Sequence, residues 1–264
     1  MKQYLVDAFT DRVFGGNPAA VCVLERWLTD SLMQRIASEN NLSETAFVVR
    51  EANGEYRLRW FTPAAEIDFC GHATLATAFV IKTFVEPNCS SIRFQTMSGL
   101  FTVKAEDGGF EMDFPQYRLL PTAVTETMME ALGVKPCEAY LDRDLLMVLD
   151  SEEAVRGIKP NPALLKRLPG LCIAVTAPGT DYDCVSRVFA PELNVTEDPV
   201  TGSTHCMIAP YWANRLKKAA LTAYQASERG GVLSASVTDD RVVISGSAVL
   251  FGIADILPDG AMCQ

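Results

Sequence analysis

The chain has 264 residues, 48% hydrophobic and 21% charged, with a formal net charge of -10. That balance describes an ordinary soluble globular protein, long enough for one large domain or two modest ones. The acidic excess argues against nucleic acid or anionic membrane as a partner, because no basic patch is present to neutralise phosphates, while a small anionic substrate in a local pocket is compatible with it.

The amino terminus, Met1 to Phe9, reads as a strand, with no apolar leader core and no small-residue cleavage site. No apolar run approaches the roughly 20 residues that span a bilayer. The eight cysteines, at 22, 70, 89, 137, 172, 184, 206 and 263, form no CxxC pair, so no zinc or other metal site is expected. Reduced thiols in a cytoplasm follow as the expectation.

In chain order, Gly15-Gly16-Asn17-Pro18 makes a shaped turn, because Gly and Asn tolerate positive φ and Pro fixes its own. Ala19 to Leu24 is a short buried strand. Thr29 caps a helix running to Asn40, with Leu32, Met33 and Ile36 on one face and Asn40-Asn41 closing it. Leu42 to Val49 opens a strand, and a turn at Asn53-Gly54 joins it to the alternating strand Tyr56–Phe61. Ala73 to Phe84 is apolar on every side, which predicts a buried helix. Strands with Gly-rich turns follow around Ile92–Phe94, Gly99–Ala105 and Phe110–Pro115.

A polar, Pro-marked join covers residues 115–124. Beyond it the pattern predicts a helix over Thr125–Leu132, a strand at Leu145–Leu149, a helix capped by Ser151, and another helix at Pro162–Leu168. Strands follow at Leu171–Thr176 and Asp183–Val188, a second buried helix at Ser203–Arg215, and four closing strands between Leu221 and Ile256. Arg59-Trp60-Phe61-Thr62-Pro63 is echoed by Arg187-Val188-Phe189-Ala190-Pro191, 128 residues later. Each copy is followed by acidic residues, a Gly motif and a buried helix, so two similar halves are expected.

The chemistry concentrates in Cys70-Gly71-His72 and in Asp198-Pro199-Val200-Thr201-Gly202-Ser203, and the chain's two histidines, His72 and His205, lie in or beside these stretches. A helix start leaves backbone N–H groups without partners and adds partial positive charge, and Gly71 and Gly202 would let a carboxylate approach them. The same dipole predicts a neutral His72. Asp198 either orients His72, binds a substrate amine, or bonds its own turn, and Ser203 either meets the ligand or caps its helix. His205, a turn into its helix, reads as structural or as a site residue. Cys70 beside His72 also permits a thiolate reading, because a helix start lowers a thiol pKa.

Gly16-Asn17-Pro18, Ser43-Glu44-Thr45-Ala46-Phe47, Cys70-Gly71-His72-Ala73-Thr74 and Glu197-Asp198-Pro199-Val200-Thr201-Gly202-Ser203 together resemble the PhzF family of phenazine-biosynthesis-like proteins, in order and approximate spacing over essentially the whole chain. The resemblance implies a diaminopimelate epimerase-like α/β (α+β) fold of two pseudo-symmetric halves, each a curved β-sheet or barrel around a central helix. It divides the chain into residues 1–117, with its helix after Gly71 and with 252–264 returning to it, and residues 118–251, with its helix after Gly202. It also implies a homodimer and an active site between the halves.

By the same resemblance, Glu44, His72 and Asp198 are the catalytic residues, and Asn17, Cys70, Gly71, Thr201, Gly202 and Ser203 bind the substrate. The implied activity is an isomerase that transfers a proton on a small carboxylate-bearing, amino acid-like substrate by general acid–base catalysis, without cofactor or metal. Two alternatives stand beside it. One is an amino-acid epimerase or racemase using Cys70, although Thr201 occupies the place where the second thiol of that chemistry would stand. The other is a non-catalytic ligand- or protein-binding member of the fold.

Overall fold

The computed structural model describes residues 1–106, 108–193 and 195–257. The chain divides into two compact units: Met1–Asp113 together with the residues from Gly246 onward, and Phe114–Ser245. The first carries strands β1 (Lys2–Ala8), β2 (Asn17–Leu24), β3 (Glu44–Arg50), β4 (Tyr56–Phe61), β5 (Glu66–Ile67), β6 (Ser91–Thr96), β7 (Gly99–Glu106) and the start of β8 (Gly109–Pro115), with helices α1 (Asp30–Asn40) and α2 (Gly71–Val80). The second carries β9 (Pro121–Thr122), β10 (Glu138–Leu141), β11 (Leu145–Val148), β12 (Ile173–Pro178), β13 (Cys184–Ala190), β14 (Val195–Asp198), β15 (Ala220–Gln225), β16 (Gly231–Val237) and β17 (Arg241–Gly246). Its helices are α3 (Glu126–Leu132), α4 (Glu152–Gly157), α5 (Pro162–Leu165) and α6 (His205–Leu216). The last strand, β18 (Ala248–Asp255), belongs to the first unit and pairs antiparallel with β1. Of the expected returning segment 252–264, residues 258–264 lie outside the described residues.

The two units repeat one connectivity. In the first, β1–β2 is antiparallel, β2–β3 parallel, β3–β4 antiparallel, β4–β6 parallel, and β6–β7 and β7–β8 antiparallel. In the second, β10–β11, β11–β12, β12–β13, β13–β15, β15–β16 and β16–β17 follow in the same alternation, the second and fourth pairs again parallel. The short β5 and β14 each fold back antiparallel on the strand before them. Parallel neighbours need a crossover. A surface helix supplies the first in each unit (α1, then α4 and α5), and a buried helix supplies the second (α2, then α6).

The helices form for local reasons. Thr29 Oγ1 accepts from Leu32 N at 3.3 Å, and Asn41 closes α1 in the left-handed region at φ 49. Ser151 caps α4 in the same way, through Ala154 N at 3.2 Å. In α2, nine of ten residues are buried, Phe79 being the exception, and the helix touches β1, β2, β3, β7 and β18, so the sheet curls round it. Beyond Val80 the predicted helix widens into a π turn, Ile81–Val85, closed by Glu86 N on Ile81 O at 2.7 Å.

In α6 the buried run is His205 to Trp212 and contains Pro210. A proline cannot donate to the carbonyl four residues back. That carbonyl, Cys206 O, accepts instead from Tyr117 N at 3.0 Å, so the interior proline leaves no acceptor unmet.

Two apolar layers lie outside the curled sheets. Met33 and Ala37 of α1 pack on Cys22, Phe47, Val49 and Phe61. Met128, Leu132, Val155 and Leu165 of α3 to α5 pack on Met147, Val175, Val185 and Phe189. The expected helix Pro162–Leu168 stops at Leu165, and β5, β9, β10 and β14 were not expected from the sequence, being only two to four residues long.

Candidate active site

In the first unit five of the expected residues, Asn17, Glu44, Cys70, Gly71 and His72, come together at the start of α2. Gly16 has φ 61, and a Cβ there would lie 2.1 Å from Ala8 O, so only glycine fits the turn that delivers Asn17 to the start of β2. Glu44 is the first residue of β3, three residues past the left-handed cap of α1. Cys70 is the extended residue before α2, at φ -146 and ψ 116, and makes no side-chain cap bond, which leaves its thiol available. Thr74 instead closes the first turn, its N and Oγ1 both donating to Cys70 O, at 3.2 and 2.5 Å.

His72 is the centre of the cluster. Its Nε2 lies 3.0 Å from Glu44 Oε2, in the contact of an ion pair rather than an aligned hydrogen bond. Its Nδ1 lies 3.1 Å from Asn17 Nδ2 and 3.5 Å from Cys70 Sγ. Asn17 is fully buried, while the Glu44 side chain keeps 14% of its surface exposed. Gly71, the first residue of α2, is buried, and its N–H has no carbonyl one turn back to bond.

The expectation of a neutral His72 is corrected here. Burial disfavours the imidazolium, but the hydrogen bond to Cys70 and the charge and hydrogen bond of the Glu44 carboxylate outweigh it and hold the pKa well above 6.5. The helix dipole that motivated the expectation is weaker than a carboxylate at contact distance. Burial, and then the charge of Glu44, push the Cys70 thiol up to about 11, so it rests protonated despite its place at a helix start.

Donor atoms of Glu44, Cys70 and His72 all lie within 4.8 Å of one another, which raises the question of a metal ion. Sγ approaches Nδ1 and the carboxylate approaches Nε2, so the three side chains offer their donors to one small space.

The second unit holds the remaining expected residues at the start of α6. Asp198 ends β14, and its Oδ2 accepts from Thr201 Oγ1. Gln225, at the end of β15, ties the turn together: its Oε1 accepts from Thr201 N at 2.8 Å, and its Nε2 donates to Asp198 O at 2.6 Å and to Thr201 Oγ1 at 3.3 Å. Gly202 is buried and Ser203 half-buried in the turn leading into α6. Sequence reasoning missed Gln225, whose only signal is its place at the end of a strand.

His205 is wholly buried, with Nδ1 2.8 Å from Thr201 O and Nε2 3.4 Å from Ser186 Oγ. Burial lowers its pKa to about 4, so it is a neutral core residue that holds the Thr201 turn. Cys206 is buried and pushed up to about 12.

With this geometry in view, comparison with known proteins is direct. The profile of the family described as phenazine biosynthesis-like protein (PhzC-PhzF) matches residues 6–252. A Pseudomonas aeruginosa protein named as an uncharacterized isomerase is 50% identical over 248 residues, covering 94% of this chain and 95% of that protein. The mouse phenazine biosynthesis-like domain-containing protein 2 is 40% identical over 278 residues, covering 94% and 96%.

Among solved structures, a PhzF-family protein from Enterococcus faecalis superposes with a TM-score of 0.95 at 48% identity, covering 97% of this chain and 98% of its own. A probable proline racemase from Agrobacterium radiobacter, 10% identical with a TM-score of 0.67, shares the fold. The doubled scaffold, the motifs in their expected order and the match over nearly the whole length lead to one assignment: this chain belongs to the phenazine biosynthesis-like (PhzC-PhzF) family.

Proposed function

We propose that the protein is an isomerase of this family that moves a proton on a small carboxylate-bearing, amino acid-like substrate, with Glu44 as the group that takes and returns the proton. The observation that supports this best is the contact of Glu44 Oε2 with His72 Nε2 at 3.0 Å, in a setting where the imidazole is buried and the carboxylate keeps some access. A carboxylate held against an imidazole of raised proton affinity can give up or accept a proton with little change in local charge. His72 is then the partner that stabilises each charge state of Glu44. The names of the relatives as isomerases point the same way.

Asn17, Cys70 and Gly71 complete the first cluster. In the second, Asp198, Thr201, Gly202 and Ser203 are proposed, on the sequence resemblance, to handle the polar ends of the substrate. The reading needs no cofactor. Homodimeric assembly and a cytoplasmic location are carried forward as parts of the same proposal, and no helix among the described residues is long and apolar enough to cross a membrane.

A racemase using Cys70 as its resting base is disfavoured by a thiol pKa near 11, and Cys206 offers no better second thiol at about 12. The test is solvent deuterium incorporation, read by mass spectrometry, into a panel of small amino and hydroxy carboxylates that includes dihydro-hydroxyanthranilate. Exchange by wild type that drops at least about a hundredfold in Glu44→Gln is expected. Equal exchange by the two proteins would overturn the role of Glu44.

A further inference from the structure

The two nitrogens of His72 face unlike surroundings. Nε2 meets the Glu44 carboxylate. Nδ1 meets two groups, and they make opposite demands on it. The Asn17 side-chain nitrogen is only a donor, so it requires a lone pair on Nδ1 and is satisfied by the neutral ring that carries its proton on Nε2. A ring that takes up a second proton puts it on Nδ1, and that N–H needs an acceptor. Sulfur is the acceptor at hand, 3.5 Å away, within the longer reach of a hydrogen bond to sulfur. Cys70 is held there by its backbone, because its carbonyl accepts both the N and the Oγ1 of Thr74.

We infer that Cys70 is a positioning residue for proton transfer, whose sulfur accepts the Nδ1–H of the charged His72 ring while Asn17 serves the neutral ring. The inference rests on the acid–base reading of Glu44 and His72 given above and assigns the state of the ring that supports each half of the transfer. When Glu44 carries its negative charge, the ring is charged and bonds Sγ. When the ring is neutral, its single proton sits on Nε2 and its Nδ1 lone pair accepts from Asn17. The two ring states differ by one proton at Nδ1, which the titration exchanges with bulk solvent, and the thiol keeps its own proton throughout. This fits a thiol that rests protonated, since it is never called on to act as a base. Among the described residues the side chains in polar contact with the ring are Glu44 on β3, Asn17 on β2 and Cys70 before α2.

The chain has two histidines, which makes a direct test practical. Protein labelled with ¹⁵N-histidine is titrated by NMR, following both nitrogens of both rings in wild type, Cys70→Ala and Cys70→Ser. His205 serves as the internal control, because it stays neutral down to about pH 4. In wild type the Nδ1 of His72 is expected to be protonated below a midpoint well above 6.5. In Cys70→Ala that midpoint falls toward 6.5, and in Cys70→Ser, which keeps an acceptor, it is largely retained. The pH limb of the exchange reaction should move with the midpoint.

A wild-type Nδ1 that stays unprotonated across the range, or a midpoint unchanged in Cys70→Ala, would overturn the inference. Should Cys70→Ala fail to fold, Cys70→Val, which also removes the acceptor but fills the space, takes its place in the titration. The ring titration requires no substrate, so it stands apart from the activity of Glu44→Gln: intact exchange in that variant would sink the isomerase reading and leave the role of the sulfur to be judged on its own.

Discussion

On β4, Arg59 grips Glu66 through Nε at 2.7 Å and Nη2 at 2.6 Å and lies over the Phe61 ring at 5.3 Å. On β13, Arg187 grips Glu197 through the same two nitrogens at 2.7 and 2.8 Å and lies over the Phe189 ring, also at 5.3 Å. The strand registers agree: Thr45 opposes Phe61 and Ile173 opposes Phe189, the second pair offset from the first by the same 128 residues. Up to this point the two units are copies.

They diverge at the start of the buried helix. By the same register Glu44 corresponds to Cys172 and Ala19 to Asp144. The second unit therefore also brings in a carboxylate, but from the neighbouring strand and with no exposure. Asp144 Oδ1 accepts from Cys172 N at 3.2 Å and Oδ2 from Thr204 Oγ1 at 2.9 Å. Burial raises its pKa, against the lowering by Arg143 and Thr204. There the acid is committed to fixing a helix start, whereas in the first unit the acid faces an imidazole and keeps access. One scaffold holds a wholly buried, fixed carboxylate in one copy and a partly exposed one against an imidazole in the other.

The sharpest way to break this comparison is at the residue after each glycine. His72→Asn should lower turnover by about a hundredfold or more, while Ser203→Ala, its counterpart by motif, should cost less than about tenfold. Steady-state rates on a verified substrate decide it, and equal losses would mean that the two helix starts share the chemistry.

The histidines supply the next contrast, because they titrate in opposite senses. His205 has a lowered pKa, so the unfolded chain binds the extra proton first, and its contribution is present above 6.5 and lost as pH falls toward 4. The full loss is about 3 kcal/mol. His72 has a raised pKa, so its contribution is complete below 6.5 and is lost as pH rises through its folded value. Urea unfolding across pH should show His205→Gln losing the acid slope and His72→Gln changing stability with the opposite sign.

Asp144→Ala should cost about 2 kcal/mol by freeing Cys172 N and Thr204 Oγ1, measured as a shift in the denaturant midpoint. The smallest effect compares the arginines. Arg187→Ala should cost about 1 kcal/mol more than Arg59→Ala, because Arg187 Nη1 donates to the buried Ile158 O at 2.7 Å whereas Arg59 Nη1 donates to the exposed Asp30 Oδ1 at 2.9 Å, and the side chain is 12% rather than 24% exposed. Equal costs would show that burial adds nothing to the Nη1 bond.

The sequence made the scaffold readable because its strongest signals are local and periodic. Thr29 and Ser151 announce their helices, the apolar runs after Gly71 and Gly202 announce buried ones, and the Arg-x-Phe echo announces the doubling. The site was less readable. Glu44 and His72 are 28 residues apart and meet only through sheet register and helix placement, so the motif resemblance rather than any pattern singled out Glu44. Gln225 and Asp144 were invisible for the same reason: each looks like an ordinary solvated residue until a strand carries it under α6. β5 and β14 are too short to display a period.

The pairing of β18 with β1 has a consequence for how the protein is made. Residues 114–245 form their unit from one uninterrupted stretch, whereas the unit bearing Glu44 and His72 is closed by strands from both sides of it, with Lys2 opposite Asp255. A chain emerging amino terminus first has the second unit available to fold while β1 still lacks its neighbour. The unit bearing Glu44 and His72 is thus closed only once Asp255 has been synthesised, and until then one edge of β1 is exposed to wrong pairing.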